Sequence, residues 1–453
     1  MTQAVKPDAV PMADALKVWV RVAALSFGGP VAQIAVMHRI VVEEKRWIGE
    51  ERFLHALNYC MLLPGPEATQ MAVYLGWLLN KAWGGFLAGF LFVLPGVVVM
   101  MVLSVIYSGY GEMPVVAAVF YGIKAAVLAI VIEAMVRIGK RALKTEAQYA
   151  IAALAFVAIF FLDAPFPLII VAAGVAGYLG SRAWPAQFSP GAGHGKKANM
   201  PPPVIAEESL HEVAPSTRRT LWISLLFAVV WLGPVVAVMA WLGFADVFSQ
   251  IGFFFSKLAV VTFGGAYAVL AYMAQQAVET YGWVTAGEML DGLGLAETTP
   301  GPLIMVTQFI GFLAAFRDPG GLTPITAGVL GGLMATWATF GPSFFLIFLG
   351  APYIEALRQN KALSAALAAI TAAVVGVVLN LAVWFAVHVM FADVREVALG
   401  PFKAPWPAWA SLDPMTAILS LAALVAMLRF KIGMLTTLAA AALIGVVWKL
   451  GSL

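Results

Sequence analysis

Thirteen apolar stretches divide this chain, near residues 14–40, 52–80, 84–107, 114–136, 148–162, 166–181, 220–243, 247–276, 288–316, 323–350, 362–391, 414–428 and 433–450. A helix needs about 20 apolar residues to cross the ~30 Å hydrocarbon core of a bilayer, and helices satisfy their own backbone there. The pattern therefore predicts an all-α, polytopic membrane protein, although the stretches near 148, 166, 414 and 433 are short for full spans. Hydrophobic residues make up 62% of the chain and charged residues 11%, against about 25% charged in a soluble domain. That excludes a water-soluble fold.

The 27 basic and 24 acidic residues are thinly spread, so no basic stripe suggests nucleic acid and no acidic tail suggests a docking partner. Cys60 is the only cysteine, which leaves no disulfide, Cys-rich zinc site or dithiol redox motif. The first fifteen residues carry Lys6, Asp8 and Asp14 without an apolar core, so no removable signal peptide is expected. Residues 182–219 form the one long polar stretch, rich in Gly and Pro, and read as a flexible linker.

The chain repeats itself. Ser26-Phe27-Gly28-Gly29 recurs as Thr262-Phe263-Gly264-Gly265, an offset of 262 − 26 = 236, and the same offset carries Arg21 to Lys257, Met37 to Met273, Trp47 to Trp283, Pro64-Gly65-Pro66 to Pro300-Gly301-Pro302 and Lys81 to Arg317. After an insertion the register resumes at 247, with Pro95 on Pro342 and Ile123 on Ile370. We divide the chain into a first transmembrane repeat (1–182), a cytoplasmic linker (183–219), an extra transmembrane helix (220–246) and a second repeat (247–453). Basic residues favour cytoplasmic loops, and paired loops carry opposite signals. Arg39, Lys45, Arg46 and Arg52 flank a loop whose partner around 279–291 has no base, and the turn at Asp163 corresponds to one with Arg429 and Lys431. The two repeats are thus expected to have inverted topology, with the amino terminus cytoplasmic and the carboxyl terminus periplasmic. The stretches 14–40 and 52–80 are long enough for re-entrant pairs or for two full spans each, and the loop charges favour re-entrant pairs.

Ser26-Phe27-Gly28-Gly29-Pro30 and Pro64-Gly65-Pro66 fall inside apolar stretches, as do their repeats. Gly and Pro break a helix there, and irregular backbone at membrane depth persists only where protein or a water-lined cavity satisfies it. A helix amino terminus at such a break presents N–H groups and a positive dipole end to an anion. Corresponding breaks in both halves point to a site between the repeats. The candidate substrate-binding residues are Ser26, Gly28, Gly29, Pro64, Gly65, Pro66, Gln70, Thr262, Gly264, Gly265, Thr299, Pro300, Gly301 and Pro302, with the intramembrane cations Arg21, Lys124 and Lys257. Asn58, Glu297 and Thr298 could add hydrogen bonds near the tips, and Glu67, after Pro66, is a candidate for proton coupling. Arg21 and Lys257 also have a plainer reading, snorkelling to the interface, which explains Lys124, inside the apolar run 114–136, less easily; each break could be a kink. No catalytic residues, metal ligands or cofactor are expected. A passive anion channel is the nearest alternative function.

Leu25-Ser26-Phe27-Gly28-Gly29-Pro30, the run Leu62 to Gln70 (LLPGPEATQ), Leu94-Pro95-Gly96, Thr262-Phe263-Gly264-Gly265 and Thr299-Pro300-Gly301-Pro302 together resemble the long-chain, two-domain members of the chromate ion transporter family. The resemblance covers nearly the whole chain outside the linker and termini. It implies chromate efflux across a bacterial inner membrane, conferring chromate resistance, with sulfate as a related or competing oxyanion; the partners are then that anion and the lipid bilayer. A homodimer is compatible with the sequence, which sets no oligomeric state.

Overall fold

The computed structural model describes residues 10–61, 63–111, 113–188, 203, 216–263, 266–353, 361–400 and 402–451. Most of the expected linker lies outside these residues, as do Gly264 and Gly265. Among the described residues, seven helices are long and apolar enough to cross a membrane.

Both Gly/Pro motifs of the first half break a helix. Helix α1 (Met12–Leu25) stops at Ser26, and α2 (Gly29–His38) restarts after a left-handed Gly28, φ 83° and ψ 32°, then continues as a π segment over Arg39–Glu44. Helix α3 (Glu50–Cys60) ends before the Pro64-Gly65-Pro66 turn, from which α4 (Glu67–Tyr110) leaves. Inside α4 the backbone leaves helical geometry at Asn80 and Lys81. The arms 67–79 and 82–110 fold back there: a Cβ on Gly76 would lie 2.4 Å from the Gly84 carbonyl oxygen, an approach that only glycine permits.

Helix α1 has 14 residues, a length of about 21 Å, well short of a ~30 Å crossing. The Asn80 amide donates to the carbonyl of Val10 at 2.7 Å, which brings the turn of α4 back to the start of α1. Longer helices follow, α5 (Pro114–Ala142), α7 (Phe166–Ala183) and, past the linker, α8 (Thr217–Leu242), each long enough to cross a membrane, with the shorter α6 (Glu146–Leu162) between α5 and α7.

The second half restates the first at the offset of 236. Helix α9 (Val247–Val261) matches α1, α10 (Ala266–Ala274) matches α2, and its π segment Gln275–Thr280 falls on Arg39–Glu44 residue for residue. Even the turn bonds recur: Trp47 N–H donates to the Val41 oxygen at 2.9 Å and Trp283 N–H to the Ala277 oxygen at 2.8 Å. Next come α11 (Ala286–Thr298), a 3-10 turn at Leu303–Met305, α12 (Val306–Arg317), α13 (Pro324–Gly350) and α14 (Lys361–Met390). Among the described residues the one sheet follows, a hairpin of β1 (Val394–Leu399) and β2 (Phe402–Pro407) turning at Gly400. Helices α15 (Pro414–Leu428) and α16 (Met434–Gly451) close the chain, both packed on α5.

Candidate functional site

The breaks of the two halves meet and cross-link. Gly65 N–H donates to the carbonyl of Thr262 at 2.9 Å, and Gly301 N–H donates to the carbonyl of Ser26 at 2.8 Å. Adding 236 to 26 and 65 gives 262 and 301, so one bond is the repeat image of the other. Each tip thereby satisfies a backbone group that a broken helix leaves exposed at membrane depth.

Further bonds lock the crossing. The Gln33 amide donates to the Gly301 carbonyl at 2.6 Å and the Gln70 amide to the Pro64 carbonyl at 2.6 Å. Ser26 Oγ donates to the Val22 carbonyl, Thr262 Oγ1 to that of Leu258, Thr298 Oγ1 to that of Leu295 and Thr299 Oγ1 to that of Ala296. These hydroxyls therefore cap their own helices. The amides of Gly65 and Gly301 act likewise as fasteners, while Gln70 Oε1, buried beside them, has no hydrogen-bond partner among the described residues.

Packing at the tips is close. Gly65 has φ 113°, and a Cβ there would lie 3.1 Å from Gln70 Nε2 and 3.3 Å from Ser343 Oγ. Gly301 has φ 97°, and its Cβ would lie 3.3 Å from the backbone N and Cα of Gly96. Gly29, at φ 78°, would direct a Cβ into open space. Gly301→Ala is therefore expected to cost roughly 2–3 kcal/mol, since both left-handed strain and immovable backbone oppose it, and Gly29→Ala roughly 1 kcal/mol from strain alone. Thermal unfolding of the purified variants in one detergent tests the order; equal losses would mean that the crossing is not tight.

Beside the crossing lies a cavity of about 290 Å³ lined by Gly28, Glu133, Arg137, Tyr267 and Lys431, with apolar walls from Ile130, Met427, Ile432 and Met434. It joins the amino terminus of α2 to two cationic side chains. Glu133 and Arg137, one turn apart on α5, pair at 3.5 Å, and both are partly exposed to the cavity. Lys431 comes from the turn between α15 and α16. A second cavity, of about 450 Å³, holds Lys257 together with Asp163, Glu279 and Glu396. The two cavities share no lining residue.

The intramembrane cations do not converge on the tips. Arg21 is exposed and bound to Glu44 at 2.6 Å, and Lys257 is exposed with its ammonium 5.8 Å from the centre of the Tyr272 ring. Lys124 pairs at 3.3 Å with Asp291 on α11, a buried carboxylate that also accepts from the Tyr107 hydroxyl at 2.8 Å. Glu67 opens α4 and Pro66 precedes it as the cap; Pro302 has the same place before the 3-10 turn. The candidate residues read from the sequence do not include Arg137. The available signal was Glu133 four residues before it on one helix face, a spacing that holds a charged pair inside an apolar segment.

Residues 13–178 and 249–446 match the Chromate transporter family. The chain belongs to that family. The two matched segments begin 249 − 13 = 236 residues apart, the offset of the internal repeat, and leave out the linker and α8. The chain is 28% identical to the chromate transport protein of Cupriavidus metallidurans over 433 residues, covering 95% of this chain and 91% of that one. It is 33% identical to the chromate transport protein of Pseudomonas aeruginosa over 360 residues, 78% of this chain and 76% of that one. A probable chromate transport protein of Synechococcus elongatus is 28% identical over 362 residues, 80% and 81% of the two chains. No solved structure matches the chain. As a member of this family it is a multi-pass membrane protein of ion transport.

Proposed function

We propose that this protein is not an enzyme but a transporter that exports chromate across the bacterial inner membrane and confers chromate resistance, with sulfate as a competing anion. The observation that carries the reading is the cavity in which Gly28, at the amino terminus of α2, faces Arg137 and Lys431. A helix terminus supplies about half an elementary charge, so a dianion needs side-chain cations as well. The arrangement offers both at a place where the helices are interrupted.

The two repeats run in opposite directions through the bilayer, related by an axis in its plane, so the Arg137 cavity and the Lys257 cavity open to opposite sides. Arg137, with Arg141, Lys140 and Lys144 close behind it, marks the cytoplasmic end. The amino terminus is then cytoplasmic and the carboxyl terminus periplasmic. Anion enters at Arg137 and leaves past Lys257 when the tips shift. Gly28, Gly29 and the helix ends at Pro66 and Pro302 form the polar lining between, while Arg21 steers anions from its place beside Glu44.

Chromate flux in proteoliposomes tests this. Inward chromate movement into everted vesicles or oriented proteoliposomes should saturate, exceed that of phosphate and be inhibited by sulfate. Accumulation against a chromate gradient under an imposed membrane potential or pH gradient, with single cysteines at Thr145 and Ala392 labelling from opposite sides after Cys60 is replaced, is the expected result. Flux that only dissipates a gradient would make the protein a channel, and absence of flux for every oxyanion would end the reading.

A further inference from the structure

Glu297 has no part in the transport reading so far, and its surroundings are unusual for a carboxyl group. It is 2% exposed, on α11 three residues before Pro300. The Tyr267 hydroxyl donates to its Oε1 at 2.9 Å, and that tyrosine forms part of the wall of the cavity holding Gly28, Arg137 and Lys431. The carboxyl group thus stands one hydroxyl behind the proposed anion chamber. Helix α5, which packs on α11, carries Glu133 and Arg137 on the wall of the cavity that Tyr267 of α10 also lines; the remaining charged groups of α11 itself, Glu288 and Asp291, are held by Arg317 and Lys124 respectively.

A buried carboxylate is tolerated only where a cation or several donors offset its lost hydration. Here the cation at hand is Arg137, which lines the same cavity as the Tyr267 that donates to Glu297, and Glu133 already shares that guanidinium. An anion entering the cavity turns to the same Arg137 and adds negative charge near Glu297. The carboxylate and the anion therefore compete for one cation, and protonation removes the conflict. We propose that Glu297 takes up a proton when an anion occupies the Arg137 cavity, so that proton binding and anion binding are linked at this site. The proton comes from water through the open side of the cavity and goes to the carboxylate oxygen, with no bond broken in the anion.

The inference rests on the reading that this cavity holds the transported anion. Linkage is reciprocal: if anion binding brings in one proton, rising pH weakens the anion by up to about tenfold per pH unit. The sign follows from the proton being bound in the occupied state, so that removing protons opposes occupancy. Glu133 is the other carboxylate on the same cation, but its side chain is 25% exposed, and water keeps it solvated whether or not an anion is present.

Calorimetric titration of full-length protein with chromate, repeated in buffers of different ionisation heat and at pH values where chromate is wholly the dianion, counts the protons taken up. Wild type should take up close to one proton per anion. Glu297→Gln should bind chromate with an affinity that no longer changes with pH and with proton uptake near zero, whereas Glu297→Asp should keep the uptake. Binding by wild type without proton uptake would overturn the linkage while leaving the site reading intact. Uptake that survives Glu297→Gln, or that disappears in Glu133→Gln instead, would also overturn it. If Glu297→Gln does not fold, the wild-type proton count and the Glu297→Asp variant still decide. Failure of wild type to bind chromate at all would remove the site reading and this linkage together.

Discussion

Replacing Arg137 with glutamine is expected to weaken chromate binding by at least tenfold, about 1.4 kcal/mol, and to reduce flux at low chromate by a similar factor. Two effects act in the same direction. The substitution removes a cation from the cavity, and it leaves Glu133, which Arg137 holds at 3.5 Å, as an uncompensated negative charge facing the anion. Arg137→Lys should recover part of the loss, because a lysine keeps the charge but not the planar fork that grips an oxyanion with two parallel bonds. Lys431→Gln should cost less, since its exposed side chain is screened by water and salt. Lys17→Gln serves as a control: its side chain is 77% exposed and paired only with Asp14, so it should leave the concentration dependence of flux unaltered. Unchanged half-saturation in Arg137→Gln would show that the anion takes another route.

The second large effect is expected on stability. Lys124→Gln leaves Asp291, with a side chain only 4% exposed, without the cation 3.3 Å away that offsets its burial. Breaking a buried pair from one side costs about 3–5 kcal/mol, and the partial exposure of Lys124 places this case near the lower end. The Tyr107 hydroxyl bond to Asp291 is too little to hold an isolated charge in that position. Adding Asp291→Asn to Lys124→Gln should restore much of the loss, because no buried charge then remains. The pair joins α5 of the first half to α11 of the second, so the single variant should also unfold or aggregate at a lower temperature in detergent. Equal thermal stability of wild type and Lys124→Gln, measured by size-exclusion recovery after heating, would show that the pair carries no structural weight.

Much of the architecture was legible in the residues. The apolar stretches became helices, and the motifs at Ser26–Pro30, Pro64–Pro66 and Pro300–Pro302 became breaks, because backbone chemistry decides both locally: Pro lacks a donor and Gly28 takes a left-handed turn at little cost. The offset of 236 likewise foretold which elements correspond, down to two π segments of six residues each. Burial of the tips followed from their position in the middle of apolar sequence.

Partnership was not legible. Arg21 and Lys257 occupy equivalent positions in the repeat, yet one is bound to Glu44 and the other lies over Tyr272, because neighbouring elements differ where the two halves have diverged. Lys124 lies 167 residues before Asp291 (291 − 124), and no periodicity links residues so far apart. The amides of Gly65 and Gly301, which looked suited to an anion, are consumed by carbonyls of the opposite half. A sequence can determine where a helix must break and which groups the break leaves in need of partners, since those are properties of a few consecutive residues. Only the tertiary structure decides which of those groups satisfy one another and which still face a cavity, because that depends on how two halves separated by more than 200 residues pack across each other.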